Sequence, residues 1–457
     1  MFRSINPYTQ EILGEWLVNT DDEVDKAIAQ AEAAFQIWQQ LPLEQRLRQI
    51  HVLAQEFKAQ RETLATSMVS EMGKPIGQAR AEVDKCAWAC EVLAEQCLTW
   101  LADEMVATHA PKSYLTHRPL GVVLAVMPWN FPLWQVVRCA IPALAAGNAI
   151  LFKPAPNVMS TALALQQVMH KAQFAPGVFQ VLRSTHEQTE RILSHPSVQG
   201  LAFTGSTQAG RKLAALAGSY LKKCVLELGG SDPYLILEDA DLDLASEKCV
   251  QARLQNNGQS CIAAKRFIVA QSRCEEFLDK VVTRLKGIQM GDPLDVKTDL
   301  GPLARVDLMS HLDQQVRQSL ALGAQCLFAG VRPAGKGNFF APAILTHVRP
   351  GMAAFSEELF GPVFSIFEFA DEKMAIRCAN ETTYGLGAAI FSRDQERAES
   401  IAAGFLRAGS VAINDFVRSD PMLPFGGIKE SGFGRELGKI GTLEFTNTKA
   451  IVVGSKG

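Results

Sequence analysis

The sequence predicts an α/β fold, with parallel strands covered by helices on both faces of the sheet. The chain has 457 residues, more than one compact core accommodates, so two or three domains are expected. Hydrophobic residues make up 47% of it and charged residues 20%, which is typical of a globular protein with ample apolar surface to bury. Short apolar runs bounded by turns alternate with helical patterns, and this alternation predicts a parallel sheet.

The N-terminal region is predicted to be helical, from a helix start at Thr20 to about residue 104. Thr20 precedes three acidic residues, which favour the positive end of a helix dipole. Val24, Ile28 and Ala31 then recur on one face of the helix. The segment Ser113–Pro119 alternates and ends at a proline, so we predict an edge hairpin leading into the first buried strand.

The apolar runs of the sheet follow at regular intervals. The runs predicted as strands are Gly121–Val126, Asn148–Phe152, Gly177–Leu182, Leu201–Phe203, Cys224–Leu228, Tyr234–Leu237, Phe267–Val269 and Phe364–Phe367. Helical patterns lie between them at Ser160–Ala172, Gln188–His195 and Leu242–Leu254. A last strand is expected within Leu443–Val453, after Gly-rich turns.

Composition and charge exclude several classes of partner. The net charge of −3 gives no basic surface for nucleic acid. The start of the chain lacks the apolar core of a signal peptide, and prolines interrupt the most hydrophobic stretch, 121–137, so no membrane partner is expected. The ten cysteines form no CxxC motif, and Cys86 and Cys90, four apart, indicate buried packing instead of a metal site. We therefore expect a cytoplasmic protein with reduced thiols.

Cys261 is a candidate nucleophile. It follows the polar turn Asn257-Gly258-Gln259-Ser260, which comes after the predicted helix Leu242–Leu254. Gly258 lets the backbone turn sharply, which can expose a thiol, and nearby amides or a cation would give it thiolate character. Nine other cysteines compete with it, and most cysteines are core residues, so from this segment alone both interpretations stay open.

Two further side chains are candidates for chemistry at strand ends. Glu227 interrupts an apolar strand before two glycines. Because an unpaired buried carboxylate is costly, Glu227 is either salt-bridged or a general base whose pKa is raised by burial. Asn130 lies between Pro128 and Pro132 at the end of the first strand, where parallel sheets bind ligands. Its amide suits a developing oxyanion, although Asn and Pro are also common in turns.

Three segments have features of a dinucleotide site. Gly205-Ser206-Thr207 joins a strand to a helix, leaving amides and hydroxyls at a helix N-terminus for a pyrophosphate. Lys153, at another strand end, can hold a ribose hydroxyl or a phosphate, and Glu358 with Phe360 can orient a second ribose and its base. The usual G-x-G-x-x-G is absent, since the glycines at 432–434 follow no strand. Each segment alone is also compatible with a surface turn.

Taken in order, these segments resemble the aldehyde dehydrogenase superfamily over nearly the whole chain, from Asn6-Pro7-Tyr8-Thr9 to Phe445-Thr446-Asn447. The resemblance implies that Cys261 attacks an aldehyde carbonyl. Asn130 and the main-chain amide of Cys261 would hold the oxyanion, and Glu227 would activate the water that hydrolyses the thioester.

The resemblance also implies a variant Rossmann domain that binds NAD or NADP, an α/β catalytic domain and a small β oligomerisation element. These correspond to residues 1–106 with 120–228, residues 229–435, and residues 107–119 with 436–457. The implied cofactor-binding residues are Trp129, Lys153, Gly205, Ser206, Leu228, Glu358 and Phe360. Members of the superfamily assemble through a protruding hairpin and the C-terminal strand, so a homodimer or homotetramer is expected.

Two departures from the family pattern concern charge. NAD-preferring members often carry a glutamate three residues after the lysine matching Lys153, and here that position is Pro156. Without this carboxylate a 2′-phosphate is not repelled, so NADP is expected beside NAD. Many members also have a lysine where this chain has Cys139, which removes one interior charge.

Within the superfamily, the chain most resembles the succinate-semialdehyde dehydrogenases. Arg138 and Ser419 match residues that those enzymes place against the substrate carboxylate, for which a guanidinium is a natural partner. A second arginine of that group is Gln255 here, so the carboxylate is either bound less strongly or held by Gln255 hydrogen bonds. We expect succinic semialdehyde as the substrate, with glutaric semialdehyde or another short aldehyde as the alternative.

Three other functions share part of this pattern. A cysteine hydrolase such as a thioesterase would normally use a histidine base, and none of the eight histidines lies in a matching motif. A member that transfers its acyl group to CoA or phosphate would tend to lack the base Glu227. A noncatalytic homologue would be expected to have lost Cys261, Glu227 or Asn130, and all three are present.

Overall fold

The computed structural model describes residues 1–455, which form two large sheets with helices packed on them. The α-helices are α1 (Asp21–Trp38), α2 (Leu43–Ala59), α3 (Arg61–Met72), α4 (Ile76–Trp100), α5 (Trp134–Ala146), α6 (Met159–Lys171), α7 (Glu187–Ser194), α8 (Thr207–Ser219), α9 (Leu242–Leu254), α10 (Cys274–Lys286), α11 (Val306–Ala321), α12 (Ala353–Ser356), α13 (Glu372–Asn380), α14 (Gln395–Gly404) and α15 (Gly438–Leu443). No helix within the described range has the length and apolar character needed to cross a bilayer.

The strands of the described residues belong to four sheets. They are β1 (Phe2–Ile5), β2 (Ile12–Trp16), β3 (Glu104–Met105), β4 (Lys112–Pro119), β5 (Val122–Val126), β6 (Ala149–Lys153), β7 (Phe179–Val181), β8 (Val198–Thr204), β9 (Lys223–Glu227), β10 (Asp232–Ile236), β11 (Ala264–Ala270), β12 (Gln325–Ala329), β13 (Ala343–Thr346), β14 (Val363–Phe369), β15 (Gly387–Phe391), β16 (Ser410–Ile413), β17 (Gly432–Phe433) and β18 (Thr446–Val453).

The predicted helix start at Thr20 is confirmed. The Thr20 hydroxyl accepts a hydrogen bond from Glu23 N at 3.2 Å, and the Glu23 carboxylate accepts one from Thr20 N at 2.9 Å. This reciprocal pair satisfies two amides that would otherwise be free at the first turn of α1. Val24, Ile28 and Ala31 are fully buried, as their spacing predicts. Helices α2, α3 and α4 continue the helical region, and their apolar faces share one core with α5.

The first large sheet has six strands in the order β17-β9-β8-β5-β6-β7. Pairs β9-β8, β8-β5, β5-β6 and β6-β7 are parallel, which confirms the predicted parallel sheet, and β17 adds an antiparallel edge. Every residue of β5 and β6 is buried because helices cover both faces. The carboxyl ends of β5, β6, β8 and β9 therefore lie along one edge, which is the place where such sheets bind ligands.

The second large sheet has seven strands in the order β12-β13-β14-β11-β10-β15-β16. All its neighbouring pairs are parallel except β12 with β13. The predicted strands at Tyr234–Leu237, Phe267–Val269 and Phe364–Phe367 form its centre, as β10, β11 and β14. The strands β12, β13, β15 and β16 were not predicted.

The hairpin predicted at Ser113–Pro119 is present, because β3 and β4 pair antiparallel, but its predicted position at the edge of a sheet is wrong. These residues belong to β4, which is the central strand of a three-stranded antiparallel sheet ordered β18-β4-β3. The long partner of β4 is β18, at the far end of the chain, where Thr446 pairs with Pro119 and Val453 with Lys112. Local alternation does not reveal so distant a partner. The last two residues of the predicted 436–457 element lie outside the described residues.

Candidate active site

Cys261 follows a left-handed turn between α9 and β11. Asn256, Asn257 and Gly258 have φ values of 55°, 58° and 75°, a region that asparagine and glycine tolerate better than other residues. A Cβ atom on Gly258 would lie 2.4 Å from the main-chain carbon of Gly361. Gly258 therefore has both a conformational and a steric reason to be glycine, and the turn brings Cys261 to the cavity described below.

The side chain of Asn257, within the turn, is hydrogen-bonded to segments that are distant in the sequence. The Asn257 amide nitrogen donates to Gly73 O and Pro302 O, both at 2.9 Å, and its oxygen accepts from Gly301 N at 2.8 Å. Both amide hydrogens and the oxygen of this buried side chain are thus bonded to main-chain groups. The turn before Cys261 is consequently rigid, as a site that positions a nucleophile requires.

Asn130 lies beside the same turn, although it comes from the segment between β5 and α5. Its Nδ2 donates to Gln259 O at 3.1 Å, and Asn256 Nδ2 donates to Asn130 O at 2.7 Å. Asn130 is buried, with 4% of its surface exposed. The structure thus brings Asn130 to the loop of residues 256–261, here called the cysteine loop. One hydrogen of the Asn130 amide is bonded to Gln259 O, two residues before Cys261, and the other is available.

The Cys261 thiol faces a cavity of about 510 Å³. Burial raises the pKa of this thiol to about 12, an effect that the positive charges of Arg138 and Lys265 oppose. The Lys265 ammonium lies beneath the loop, where it donates to Ser260 O at 3.0 Å and to Cys261 O at 2.9 Å. In the resting enzyme the thiol is therefore protonated.

Glu227, the last residue of β9, is a buried carboxylate. Only 1% of its surface is exposed, and neither carboxylate oxygen has a hydrogen-bond partner among the described residues. Burial raises the pKa of Glu227 well above its ordinary value, against the nearby positive charge of Arg138, while Glu436 raises it further. A Cβ atom on Gly426 would lie 2.7 Å from Glu227 Oε1, so a glycine there leaves room for the carboxylate.

Arg138, on α5, forms an ion pair with Glu436 in which both side chains are almost fully buried. The Arg138 guanidinium also donates to the Thr204 hydroxyl at 3.3 Å and lies 4.8 Å from the centre of the Phe425 ring. Because the charge of Arg138 is balanced by Glu436, the arginine is less available to a substrate carboxylate than its position in the sequence suggested.

The cavity joins the predicted nucleophile to all three predicted substrate-binding residues. Cys261, Arg138, Gln255 and Ser419 all line it. Most of the remaining wall is apolar, and is formed by Phe131, Trp134, Val250, Leu254, Ile262, Ile288, Phe416 and Phe425. A space of this size with a few polar groups in an apolar wall suits a small organic substrate.

The predicted dinucleotide residues lie at the ends of β6, β8 and β9. Lys153 ends β6, is 4% exposed, and has no hydrogen-bond or ion-pair partner among the described residues. Burial lowers the pKa of Lys153 to about 8. Gly205 and Ser206 follow β8, and the Ser206 hydroxyl accepts from Ala209 N at 3.3 Å as the N-cap of α8. Leu228, directly after β9, packs against α8 at Gly210.

The other predicted cofactor residues are Trp129, which follows β5 of the first sheet, and Glu358 and Phe360, which precede β14 of the second sheet. Glu358 accepts a hydrogen bond from Gly230 N at 3.1 Å, and its carboxylate lies 3.5 Å from Lys265 Nζ. The rings of Trp129 and Phe360 meet edge to face, with 5.9 Å between their centres. Glu358 is therefore linked through Lys265 to the main chain of the cysteine loop.

The sequence profile of the aldehyde dehydrogenase family matches residues 1–451 of the chain. The chain belongs to the aldehyde dehydrogenase family. Curated relatives include a probable NADP+ succinate-semialdehyde dehydrogenase of Synechocystis, 44% identical over 98% of both chains. An NAD(P)+ succinate semialdehyde dehydrogenase of Escherichia coli is 42% identical over 98% of this chain and 97% of its own.

Solved structures agree with this family and with the predicted α/β fold. The crystal structure of succinic semialdehyde dehydrogenase from Streptococcus pyogenes in complex with NADP+ superimposes with a TM-score of 0.97, at 34% identity and with both chains fully covered. A crystal structure of an NAD-dependent aldehyde dehydrogenase from Sinorhizobium meliloti gives a TM-score of 0.95, at 31% identity over 99% of this chain and 91% of that one.

Several residues at the site of this aldehyde dehydrogenase were missed by sequence reasoning. Lys265 lies in the buried strand β11, four residues after Cys261. A lysine within an otherwise apolar run is costly to bury, so the sequence alone could have indicated a functional role for it. Glu436 and Lys85 have no such pattern, because a charged residue on a helix or in a loop is usually solvated. Only the tertiary structure reveals that the former pairs with Arg138 and that the latter lines the cavity.

Proposed function

We propose that this aldehyde dehydrogenase oxidises succinic semialdehyde to succinate with NADP+ or NAD+. The observation that carries the proposal is the single cavity of about 510 Å³ that contains Cys261 together with Arg138, Gln255 and Ser419. A reactive thiol near cationic and hydroxyl groups suits an aldehyde that bears a carboxylate at its other end. The names of the relatives at 42% and 44% identity support the same substrate.

In the proposed reaction, Cys261 Sγ forms a bond to the aldehyde carbon and loses its proton. Because burial raises the pKa of this thiol to about 12, the attack needs a base nearby. We assign this role to water in the cavity, which carries the thiol proton to solvent, and we assign Glu227 to the later hydrolysis.

The carbonyl oxygen becomes an oxyanion when the carbon–sulfur bond forms. We assign its stabilisation to the Asn130 amide and the main-chain N–H of Cys261. The hydrogen bond from Asn130 to Gln259 O supports this role, because it fixes the amide next to the cysteine loop before substrate arrives. A donor that is already oriented needs no reorganisation when the charge develops.

Residues at the ends of β6 and β8 would hold a nicotinamide dinucleotide, and this cofactor would supply the hydride acceptor needed for the hemithioacetal on Cys261 to become a thioester. Hydrolysis then requires a water to lose a proton, and Glu227 is assigned as its base. The raised pKa of Glu227 supports this, since a stronger base takes the proton from water more readily. Water adds to the thioester carbon as Glu227 takes its proton, Sγ leaves and recovers this proton from Glu227, and succinate is released.

The chain's own residues fit such a cofactor. A buried Lys153 that forms no ion pair within residues 1–455 suits a phosphate or a ribose hydroxyl. Gly205 and Ser206 precede α8, whose first amides suit the pyrophosphate. We assign Glu358 to the second ribose, with Trp129, Leu228 and Phe360 as apolar neighbours of the cofactor.

We expect NADP+ to be accepted beside NAD+. Pro156 begins a short 3-10 helix three residues after Lys153, so no carboxylate opposes a 2′-phosphate there. The name of the Synechocystis relative includes NADP+, which supports the use of NADP+ by this chain.

We also propose a division into three parts. Residues 1–106 and 120–228 contain the first large sheet apart from β17 and would bind the dinucleotide, and residues 229–435 contain the second sheet and would carry catalysis. Residues 107–119 and 436–457 would form an oligomerisation element of a homodimer or homotetramer. The exposed apolar side chains of Val452 and Val453 on β18 support an interface there. The ten unpaired cysteines support a reducing, cytoplasmic location.

The proposal is tested by mixing purified enzyme with succinic semialdehyde, glutaric semialdehyde or butanal and with NAD+ or NADP+. Reduced cofactor is followed by absorbance. We expect the highest kcat/KM with succinic semialdehyde, loss of activity in Cys261→Ala, and full activity in the matched control Cys326→Ala, whose residue is exposed on β12. A higher kcat/KM with glutaric semialdehyde or butanal would contradict the substrate. Cofactor reduction by Cys261→Ala would contradict the nucleophile.

A further inference from the structure

Lys85 is a cation on the wall of the cavity that contains Cys261. It comes from α4 and is half-buried, and its ammonium donates a hydrogen bond to Ser419 Oγ at 2.8 Å. The same ammonium lies 4.3 Å from the centre of the Trp134 ring, a cation–π contact. These two contacts fix the position of a side chain that would otherwise be flexible.

Lys85 is the cavity cation whose charge no carboxylate neutralises. Arg138 is ion-paired with the buried Glu436, and Arg418 lies 2.7 Å from the Asp415 carboxylate. Within residues 1–455, Lys85 forms no ion pair. An unpaired ammonium in a largely apolar cavity favours an anion there, because the low polarity of the wall strengthens their attraction.

The acidic groups around Lys85 do not replace such an anion. Glu82 lines the cavity, but it is ion-paired with Lys74 and accepts hydrogen bonds from two main-chain amides at the start of α5. Asp299 also lines the cavity and accepts from Gln289 N at 2.9 Å. Asp420 acts on Lys85 only through its charge, and burial together with Arg138 lowers the pKa of Lys85 to about 8. Lys85 is therefore still largely protonated at neutral pH.

Ser419 completes a pair of donors. Its hydroxyl oxygen accepts hydrogen bonds from Lys85 Nζ at 2.8 Å and from Trp134 Nε1 at 3.0 Å. Two N–H donors on one hydroxyl oxygen leave its own hydrogen for another acceptor. The ammonium and this hydroxyl are neighbours, as the two oxygens of a carboxylate require.

Resting on the proposed oxidation of succinic semialdehyde, we propose that Lys85 is the specificity-determining cation, which binds the substrate carboxylate together with Ser419. Arg138 instead neutralises Glu436 and sets the electrostatics around Glu227. Lys85 thereby supplies the charge that the arginine otherwise expected at Gln255 would bring to the pocket. The aldehydes selected are those with a carboxylate at the end opposite the carbonyl.

The test compares kcat/KM for succinic semialdehyde and for butanal, a neutral aldehyde with the same number of carbons, in wild type and three variants. Lys85→Met removes the charge at similar length, and Lys85→Arg keeps it. Arg80→Met, on the same helix but paired with Glu62 and not part of the cavity wall, is the control. A hydrogen bond to a charged group corresponds to about a tenfold to hundredfold change in binding, so we expect that loss for succinic semialdehyde in Lys85→Met.

We expect butanal oxidation by Lys85→Met to change by less than about twofold, which also shows that the variant is folded. Lys85→Arg should recover most of the lost kcat/KM, and Arg80→Met should behave as wild type. An equal loss for both aldehydes in Lys85→Met, or none for succinic semialdehyde, would overturn the role of Lys85 alone. A wild-type enzyme that does not prefer succinic semialdehyde to butanal would overturn the proposed substrate, and the role of Lys85 with it.

Discussion

The ion pair between Arg138 and Glu436 is the most buried charge interaction near Glu227, so the substitution Glu436→Gln has consequences for both stability and pH dependence. The two side chains are 2% and 3% exposed. Removing one partner of such a pair leaves the other charge buried and alone, which costs about 3–5 kcal/mol. The matched control is Glu430→Gln in the same segment, whose pair with Arg211 is 36% and 67% exposed. An exposed pair of that kind contributes about 0–1 kcal/mol.

The second consequence concerns the pKa of Glu227. Glu436 raises this pKa and Arg138 lowers it. In Glu436→Gln the raising charge is gone and Arg138 is no longer neutralised, so the pKa of Glu227 falls. Thioester hydrolysis needs the deprotonated carboxylate and therefore increases as pH rises through this pKa. The acidic limb of the hydrolysis rate should then move to lower pH in the variant.

Both effects can be measured with the same proteins. Urea unfolding followed by tryptophan fluorescence gives the loss of unfolding free energy, and kcat measured across pH gives the acidic limb. The reasoning is refuted if Glu436→Gln is no less stable than Glu430→Gln and its acidic limb coincides with that of wild type.

Three other outcomes are expected. In stopped-flow assays, Glu227→Gln should release one reduced cofactor per site in a rapid burst and then turn over about 10²–10⁴-fold more slowly than wild type. Loss of the burst would contradict a role of Glu227 in hydrolysis alone. Gly258→Ala should lower the melting temperature and the activity, because φ is 75° there and the added Cβ would lie 2.4 Å from Gly361. Gly404→Ala is the control and should change neither, because its added Cβ would have no neighbour within 4 Å. Equal melting curves for the two variants would contradict the steric requirement for glycine at position 258. As pH rises through about 8, the pKa of Lys85, its ammonium loses its proton, so kcat/KM for succinic semialdehyde relative to butanal should fall. A flat ratio would contradict carboxylate binding by this lysine.

The fold was predictable where a buried strand contains a run of large apolar residues. Strands β5, β6, β10 and β11 are buried along their whole length and each contains such a run, although β6, β10 and β11 also contain charged residues. Strand β15, Gly387–Phe391, is equally buried but begins with a glycine and two alanines, and it was not predicted. Strand β12 is mostly exposed and β16 is half-buried, so neither has such a run. The pairing of β4 with β18 depends on residues at opposite ends of the chain, and local alternation cannot specify it.

The site was predictable where chemistry disagrees with local structure. Cys261 after a polar turn, Glu227 within an apolar strand and Asn130 at a strand end are all unusual in their local setting, and this made them candidates. Lys85 is an ordinary helical lysine in the sequence, and Glu436 an ordinary acidic residue. Their importance comes from neighbours that are distant in the chain, which the fold alone brings together.

The proposed reaction requires a covalent bond between the substrate and Cys261, and trapping the acyl-enzyme tests this most directly. Glu227→Gln would be mixed with NADP+ and succinic semialdehyde, quenched in acid during the first turnover, digested and analysed by mass spectrometry. We predict a succinyl group on the peptide that contains Cys261, and none when NADP+ is omitted. A succinyl group on another residue, or cofactor reduction without any acylated peptide, would contradict the account.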